Sequence, residues 1–189
     1  MKRKALFLLF YCSTLFAFSA NIYVTTNGDD ALDGTSWESS KFSIQAAIDA
    51  SSLGDTVFIA EGIYNQSIKV KDGVHLFGGY DASTGKRNCE VHSTILDGSG
   101  LEKAIINQIS TFKNITYFDG LILQHANHSS NGGAVILKSN GILNNCTISN
   151  CYTSGSGGAV YNSKGTIANC LIELCESMGA GGAVHNLGG

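Results

Sequence analysis

A parallel β-helix, in which each coil of the chain lays short strands in line with those of the coil before, is the fold predicted by three features of this 189-residue sequence. Its C-terminal part repeats with a period of about 24 to 25 residues. It contains no proline, where average usage would place roughly nine, as suits a chain whose backbone N–H groups are nearly all needed in ladders. Its 23 glycines supply turns between short strands. With 14% charged and 43% hydrophobic residues, the chain is neither a charge-rich disordered tail nor a proline-rich linker. Collagen is excluded by the missing Gly-X-Y period, and no apolar run reaches the ~18 to 20 residues of a membrane-spanning helix.

Three segments carry the repeat: "FDGLILQHANHSSNGGAVILKSNG", "LNNCTISNCYTSGSGGAVYNSKGT" and "IANCLIELCESMGAGGAVHN". Phe118 aligns with Leu143 and Ile167, Leu121 with Cys146 and Cys170, Leu123 with Ile148 and Ile172, and Ala126 with Cys151 and Cys175. Gly133, Gly158 and Gly182 align, as do Val135, Val160 and Val184, at offsets of 25 and then 24 residues. The missing residue falls between "ILKSNGI" and "YNSKGT", a polar turn where a solenoid tolerates length change. Apolar and polar residues alternate from Leu121 to Leu123 and from Cys146 to Ile148, too briefly for a useful helix but as a short strand requires. The "GGAV" half reads as a second short strand entered through a glycine turn. Stacking brings each strand within ~4.8 Å of its copies, so the apolar positions line a continuous core. A leucine-rich repeat shares the period, and "LNNCTISNC" mimics its rule. Its other half would be a helix or a convex segment, and the glycines of "SGSGGAVYN" are poor helix formers.

The tandem "GGAV" segments paired with "N-C-x-I-x-x-C" strands resemble the polymorphic outer membrane protein repeat, whose signature joins GGAI to F-x-x-N. That repeat belongs to the pectate-lyase-like superfamily, so the resemblance implies an all-β, right-handed, single-stranded parallel β-helix. Cys151 and Cys175 stand at the Asn place of the signature, and Ile148 and Ile172 at the Phe place. The likeness covers residues 118 to 189. Upstream, "IYVTTNGDDALDGTSWESS", "IQAAIDASSLGDTVFIAEGIY" and "GVHLFGGYDASTGKR" are similar to the N-terminal coils of large secreted β-helix proteins of Bacteroidetes-type bacteria. Such likeness implies architecture more than activity.

Taken in order, Lys2, Arg3 and Lys4, an apolar stretch from Ala5 to Phe18, and the small Ser19 and Ala20 form the pattern of a secretory signal peptide, expected over residues 1–20. The alternative is an uncleaved anchor, although about fourteen apolar residues interrupted by Ser13 and Thr14 are short for a span. Tyr11 before Cys12 counts against lipid attachment. Residues 21–53 are expected to cap the solenoid. Ile44, Ala47 and Ile48 share a helical face, Ser43 is placed as N-cap and Gly54 as the stop beyond Leu53. Such a helix would cover the strand edges and core that an open end exposes. Residues 54–189 read as β-helix, with strands from Val57 to Ile59, Ile68 to Val70, Val74 to Phe77 and Thr94 to Leu96 ahead of the clear repeats. The ending "HNLGG" falls inside a repeat unit, as in an array incomplete at its C-terminal end.

Candidate chemistry is sparse. Cys146 stacks with Cys170, and Cys151 with Cys175. Strands ~4.8 Å apart lie within disulfide reach, whereas parallel neighbours point their Cβ atoms alike, which favours small buried side chains in core ladders. Free and bonded states both stay open. A C-x4-C spacing without a matched His makes a poor zinc site, and Cys89 is left over in a loop. "NGDDALDG" gathers Asn27, Asp29, Asp30 and Asp33, oxygen ligands for calcium, but lacks the full EF-hand pattern and reads first as a turn with solvated carboxylates. Polysaccharide cleavage needs a carboxylate pair, or calcium carboxylates beside an Arg or Lys base. Within residues 118–189 the acids Asp119, Glu173 and Glu176 form no stacked pair, and the bases are Lys138 and Lys164. His75, His92, His125, His128 and His185 share no ladder, and His125 with His128 reads as a solvated pair. Trp37 and Tyr64 suit sugar stacking but more often pack a cap. Sequons at Asn65, Asn114, Asn127 and Asn145 matter only in a eukaryotic secretory host, and Asn145 aligned with Asn169 reads as a turn-stabilising Asn ladder. No catalytic, cofactor-binding or metal-binding residue is assigned.

Without its basic start the chain carries a net charge of about −6 and no basic cluster to track phosphates, which does not suit a nucleic-acid partner. The expected function is that of an exported, non-catalytic β-helix at the bacterial surface or outer membrane, a scaffold or adhesin that meets host-surface or glycan ligands. A polysaccharide lyase or glycoside hydrolase of the same fold, or a carbohydrate-binding module, is the alternative.

Overall fold

Short runs of alternating inward and outward side chains, broken every few residues by glycine or asparagine, give this chain nineteen short strands and one helix among its described residues. The computed structural model describes residues 19–188, so the expected export signal lies almost wholly outside them. The upstream elements are β1 (Asn21–Val24), α1 (Ile44–Ala50), β2 (Thr56–Ala60), β3 (Gly62–Tyr64), β4 (Ile68–Lys69), β5 (His75–Tyr80), β6 (Thr94–Asp97) and β7 (Ile106–Asn107). The first repeat supplies β8 (Thr116–Asp119), β9 (Ile122–Gln124), β10 (Asn127–His128) and β11 (Val135–Lys138). The second supplies β12 (Gly141–Asn144), β13 (Thr147–Ser149), β14 (Tyr152–Thr153) and β15 (Val160–Ser163). The third supplies β16 (Thr166–Ala168), β17 (Leu171–Glu173), β18 (Glu176–Ser177) and β19 (Val184–Asn186).

Four sheets result, ordered β1-β2-β5-β8-β12-β16, β3-β6-β9-β13-β17, β4-β7-β11-β15-β19 and β10-β14-β18. Every pairing between these strands is parallel. From β8 onward the chain visits the sheets in fixed rotation, so each repeat adds one strand to each. The register reproduces the sequence alignment: Phe118 pairs with Leu143 and Leu143 with Ile167. The offset drops by one residue between the pairs Lys138–Ser163 and Ile142–Thr166, within the polar turn. Because the "GGAV" halves lead into β11, β15 and β19, hydrogen-bonded strands of one sheet, no helical half of a leucine-rich unit exists.

The inward ladders Ile22–Val57–Leu76–Phe118–Leu143–Ile167, Tyr64–Leu96–Leu123–Ile148–Ile172 and Ile68–Ile106–Val135–Val160–Val184 meet in one apolar cluster. Burial is complete through the middle and falls off at Ile167, Ile172 and Val184, which have a neighbouring strand on one side only. Each fully buried Leu, Ile or Phe contributes about 1.5–3 kcal/mol, so these ladders dominate stability.

Helix α1 buries Ile44, Ala47 and Ile48 and packs on β1, β2 and β4. The hydroxyl of Ser43 accepts from the N–H of Ala46, as expected of an N-cap. The helix stops earlier than Gly54: Ser51 is extended, and its N–H and hydroxyl both donate to the Ala47 carbonyl. Gly54 serves the turn into β2 instead, at φ +92°. The 21–53 segment is more than a cap, because β1 is already the first strand of the six-stranded sheet.

The corners between sheets are left-handed single residues. Gly120, Asn145 and Asn169 occupy one corner at φ 69°, 51° and 52°, and His125, Asn150 and Leu174 the next at 56°, 53° and 51°. Asparagine tolerates this conformation better than most residues. Among the described residues no helix is long and apolar enough to cross a membrane.

Candidate functional site

The acidic turn after β1 is occupied from within. Lys41, only 9% exposed, extends its ammonium into the turn and donates to the carbonyl oxygens of Asp30, at 2.9 Å, and Leu32. Each carboxylate faces its own backbone donors. Asp30 accepts from the N–H groups of Phe42 and Ser43 at 2.9 and 2.8 Å and from the Ser43 hydroxyl at 2.8 Å. Burial opposes the charge on Asp30, yet the Ser43 and Phe42 hydrogen bonds outweigh it and hold the carboxyl below its usual range. Asp33 is held low by the Thr35 backbone and the Ser39 and Thr35 hydroxyls. Asp29 accepts from Ala31 N–H at 2.9 Å. A lysine therefore sits where the sequence offered calcium a place, and the carboxylates are hydrogen-bonded rather than merely solvated.

On the outer face of the six-stranded sheet, Tyr23, Phe58 and Phe77 stack in register on β1, β2 and β5, and the ladder continues through Asp119, Asn144 and Ala168. Trp37 closes on Tyr23 with ring centroids 4.7 Å apart and on Tyr80 at 5.7 Å, while Phe58 and Tyr80 lie 4.9 Å apart. The guanidinium of Arg87 sits 5.2 Å from the Phe77 centroid and 5.9 Å from that of Tyr80. Arg87 donates from Nε to the Gly78 carbonyl at 2.8 Å and from Nη2 to Asp119, and Asn144 Nδ2 donates to the other Asp119 oxygen. Trp37 thus packs the cap end. Tyr64 does the same inside, 3% exposed, with its hydroxyl donating to the Ala60 carbonyl at 3.1 Å. Burial pushes the Tyr64 phenol up.

This face joins an arginine to an acid that lies far off in sequence, a juxtaposition invisible to repeat alignment because residue 87 belongs to an irregular excursion. It does not form an acid–base pair. Asp119 has Phe77 and Asn144 as its ladder neighbours rather than a second carboxylate, and Arg87 is committed to the ion pair. Asp119 and Glu173 lie in different sheets, as the alignment implied.

Two histidines, His125 and His92, pair with acids. His125 Nδ1 lies 3.0 Å from Asp97 Oδ2, and His92 Nδ1 3.0 Å from Glu61 Oε2. Asp97 also accepts from Gln124 Nε2 at 2.9 Å and Ser99 N–H at 2.8 Å. Burial raises its carboxyl, but the bonds from Ser99, Gln124 and His125 prevail and hold it far below the usual carboxylate range. Neither imidazole hydrogen-bonds a hydroxyl or thiol among the described residues, so neither pair extends to a nucleophile. His128 Nδ1 bonds the carbonyls of Asn131 and Gly132 at 3.1 and 3.0 Å, apart from His125. Asn145 and Asn169 share the expected corner, yet the side-chain bond runs from Asn169 Nδ2 to Asn144 Oδ1 at 2.9 Å.

Several surface grooves remain among the described residues, and two of them bear comparison. The larger, about 460 Å³ beside α1, is lined by Asp30, Phe42, Gln45, Asn65, Gln66 and Lys103 among others. Its polar groups are largely spent internally: Gln66 on Ile44 N–H, Asn65 on the Asp97 and Ser99 carbonyls, Gln45 on Lys69 and Asp49. The smaller, about 290 Å³, lies over β10 and β14 and is lined by Glu102, Asn127, His128, Ser129, Tyr152 and Ser154. Here Tyr152 is 37% exposed, and the side chains of Glu102, Asn127, Ser129, Tyr152 and Ser154 make no hydrogen bond among the described residues. Polar groups with unmet bonding capacity beside an open aromatic ring can be satisfied by a ligand, so this groove is the better candidate.

Comparisons with protein-family models, with characterised proteins and with solved structures found no match.

Proposed function

We propose that the four parallel sheets are walls of a right-handed, single-stranded parallel β-helix of about 24 to 25 residues per coil, belonging to an exported bacterial surface protein, and that it acts as a non-catalytic binding scaffold for glycan or host-surface ligands. The observation that carries this reading is the in-register stack, in which equal positions of successive repeats, such as Val135, Val160 and Val184, pair strand to strand. Stacking of this kind creates the long, repetitive outer faces that solenoids use for recognition. Export is supported by the basic, apolar and small segments of residues 1–20, and a surface location by the likeness of the "GGAV" units to outer membrane protein repeats.

The groove over β10 and β14 is the proposed binding site. Its volume matches a single sugar ring better than a long ligand. Tyr152 offers a face for stacking, and Asn127 and Glu102 offer acceptors and donors for hydroxyl pairs. The Glu102 carboxylate and the chain's negative charge favour neutral saccharides over polyuronates.

Calorimetric titration with neutral oligosaccharides tests the reading. Binding should weaken roughly tenfold or more in Tyr152→Ala and Asn127→Ala with an unchanged circular dichroism spectrum. Absence of binding by the native chain would remove the glycan assignment. Release of reducing ends or of unsaturated product would replace binding by cleavage, and failure of protease to strip the protein from intact cells would remove the surface assignment.

A further inference from the structure

A buried carboxylate without a cation lies beside the first described residues. Asp55, 6% exposed, accepts from the N–H of Ala20 at 2.7 Å through Oδ1 and from that of Ser52 at 2.7 Å through Oδ2. No Lys, Arg or His forms an ion pair with it among the described residues. Two neutral donors offset only part of what it costs to bury a charge, and a positively charged partner would offset more. Ala20 is also anchored through its carbonyl, which accepts from Thr56 N–H at 3.0 Å, just ahead of the Asn21–Thr56 pair that joins β1 to β2. Residues near a chain end are well ordered when they are tied down in this way.

The sequence marks the same place. Ala17 and Ser19 put small residues three places and one place before the Ser19–Ala20 bond, the A-x-A-like pattern at which a leader peptidase cuts. A cut one residue later, at the expected boundary of residue 20, would put the bulky Phe18 at the third place back. It would also remove Ala20, and with it both the bond to Asp55 and the rung to Thr56. A cut one residue earlier would put Phe18 next to the bond. Sequence pattern and spatial contact therefore select one peptide bond independently.

We propose that the Ser19–Ala20 bond is the processing site of the exported chain, and that the α-ammonium released on Ala20 locks onto the buried Asp55 carboxylate and fastens β1 to the turn before β2. Water adds across the peptide bond under a leader peptidase, leaving a carboxylate on Ser19 of the departing leader and an ammonium on Ala20. Water is the only co-reactant. The Ala20 nitrogen already stands within hydrogen-bond distance of Oδ1, so the new charge needs no rearrangement to reach its partner. Charge-assisted hydrogen bonds are roughly twice as strong as neutral ones, and a partly buried pair is screened by salt less than an exposed one. The precursor carries an amide at this nitrogen and lacks the charge. Removing the leader and tightening the first coil are therefore one event. The proposal rests on the export reading and is independent of glycan binding.

The full chain, expressed in a bacterial host with its leader, is tested by N-terminal sequencing and mass spectrometry of the product. A mature chain beginning at Ala20 is expected. A clean cut at any other bond overturns this proposal alone and leaves export standing, whereas an uncut leader overturns both. The lock is read on the mature chain by acetylating its α-amine at about pH 6.5, where lysine amines stay protonated. Acetylation keeps an N–H on Ala20 and removes only the charge, so the thermal midpoint should fall by roughly 2–4 °C against a mock-treated sample. In Asp55→Asn, which retains a side-chain oxygen, that fall should shrink by about half or more. An unchanged midpoint in the native chain, or equal falls in both chains, would overturn the lock.

Discussion

Arg87, in the excursion between β5 and β6, bonds Asp119 on β8, 32 positions further along the chain, and so fastens an irregular loop to the regular sheet. Two glycines make the contact possible. A Cβ at Gly120 would lie 2.5 Å from Arg87 Nη2 and 2.5 Å from Cys89 Sγ, and one at Gly79 would meet the same sulfur at 2.5 Å. Both glycines have positive φ, at 69° and 86°, so the backbone conformation and the space are needed together.

Arg87→Ala should therefore loosen the excursion without dissolving the sheet. Asp119 is buried, and losing its cation leaves it only Asn144, a cost of about 1–3 kcal/mol. Urea denaturation reads that loss, and limited trypsin digestion should cut at Lys86 faster in the variant. Equal digestion rates would mean that ring packing, not the ion pair, holds the loop.

The second glycine of each "GGAV" unit predicts a contrast within one motif. A Cβ at Gly158 would fall 2.0 Å from the Gly182 carbonyl oxygen, and at Gly133 1.9 Å from that of Gly158. At Gly182 the nearest atom is 3.9 Å away. Gly158→Ala should cost about 2 kcal/mol or more in denaturation experiments, and Gly182→Ala under about 0.5 kcal/mol.

Lys41 supports the turn after β1 by filling it with a positive charge. Lys41→Met keeps the aliphatic stem and strands the Asp30 and Leu32 carbonyls, at about 1–3 kcal/mol. Calcium should not raise the thermal midpoint of the native chain, because the ammonium and the backbone donors already serve the turn. A calcium-dependent rise would show that the lysine yields to the ion.

Asp97 links stability to pH. Its folded carboxyl titrates below the unfolded value of about 3.9, so its contribution is complete above that pH and is lost as pH falls toward the folded value. Between pH 7 and pH 3 the native chain should lose more stability than Asp97→Asn, measured by urea titration at each pH. Identical acid limbs would place the loss in other carboxylates.

Much of the fold was legible because the repeat puts the same residue type in the same environment each time. Phe118, Leu143 and Ile167 align in sequence and pair in space. The helix face Ile44, Ala47 and Ile48 was equally plain from its spacing. The two-residue strand β7 and three-residue β3 carry too little periodicity to be read, since ladder neighbours rather than propensity stabilise them. Of the candidate sites, the cysteine ladders were visible as an alignment. The groove at Tyr152 was not visible, because Glu102 reaches it from outside the clear repeats.

The sequence by itself determined the strand register and the inward ladders, since both follow from a period that apolar residues impose by needing burial. Tertiary structure alone decided what the irregular segments do. It turned the acidic loop inward onto Lys41, brought Arg87 to Asp119, and left Tyr152 open beside polar groups that have no hydrogen-bond partner among the described residues. Those relations join residues from loops of unequal length, where no repeating pattern links one position to another and only the packed backbone sets the distance between them.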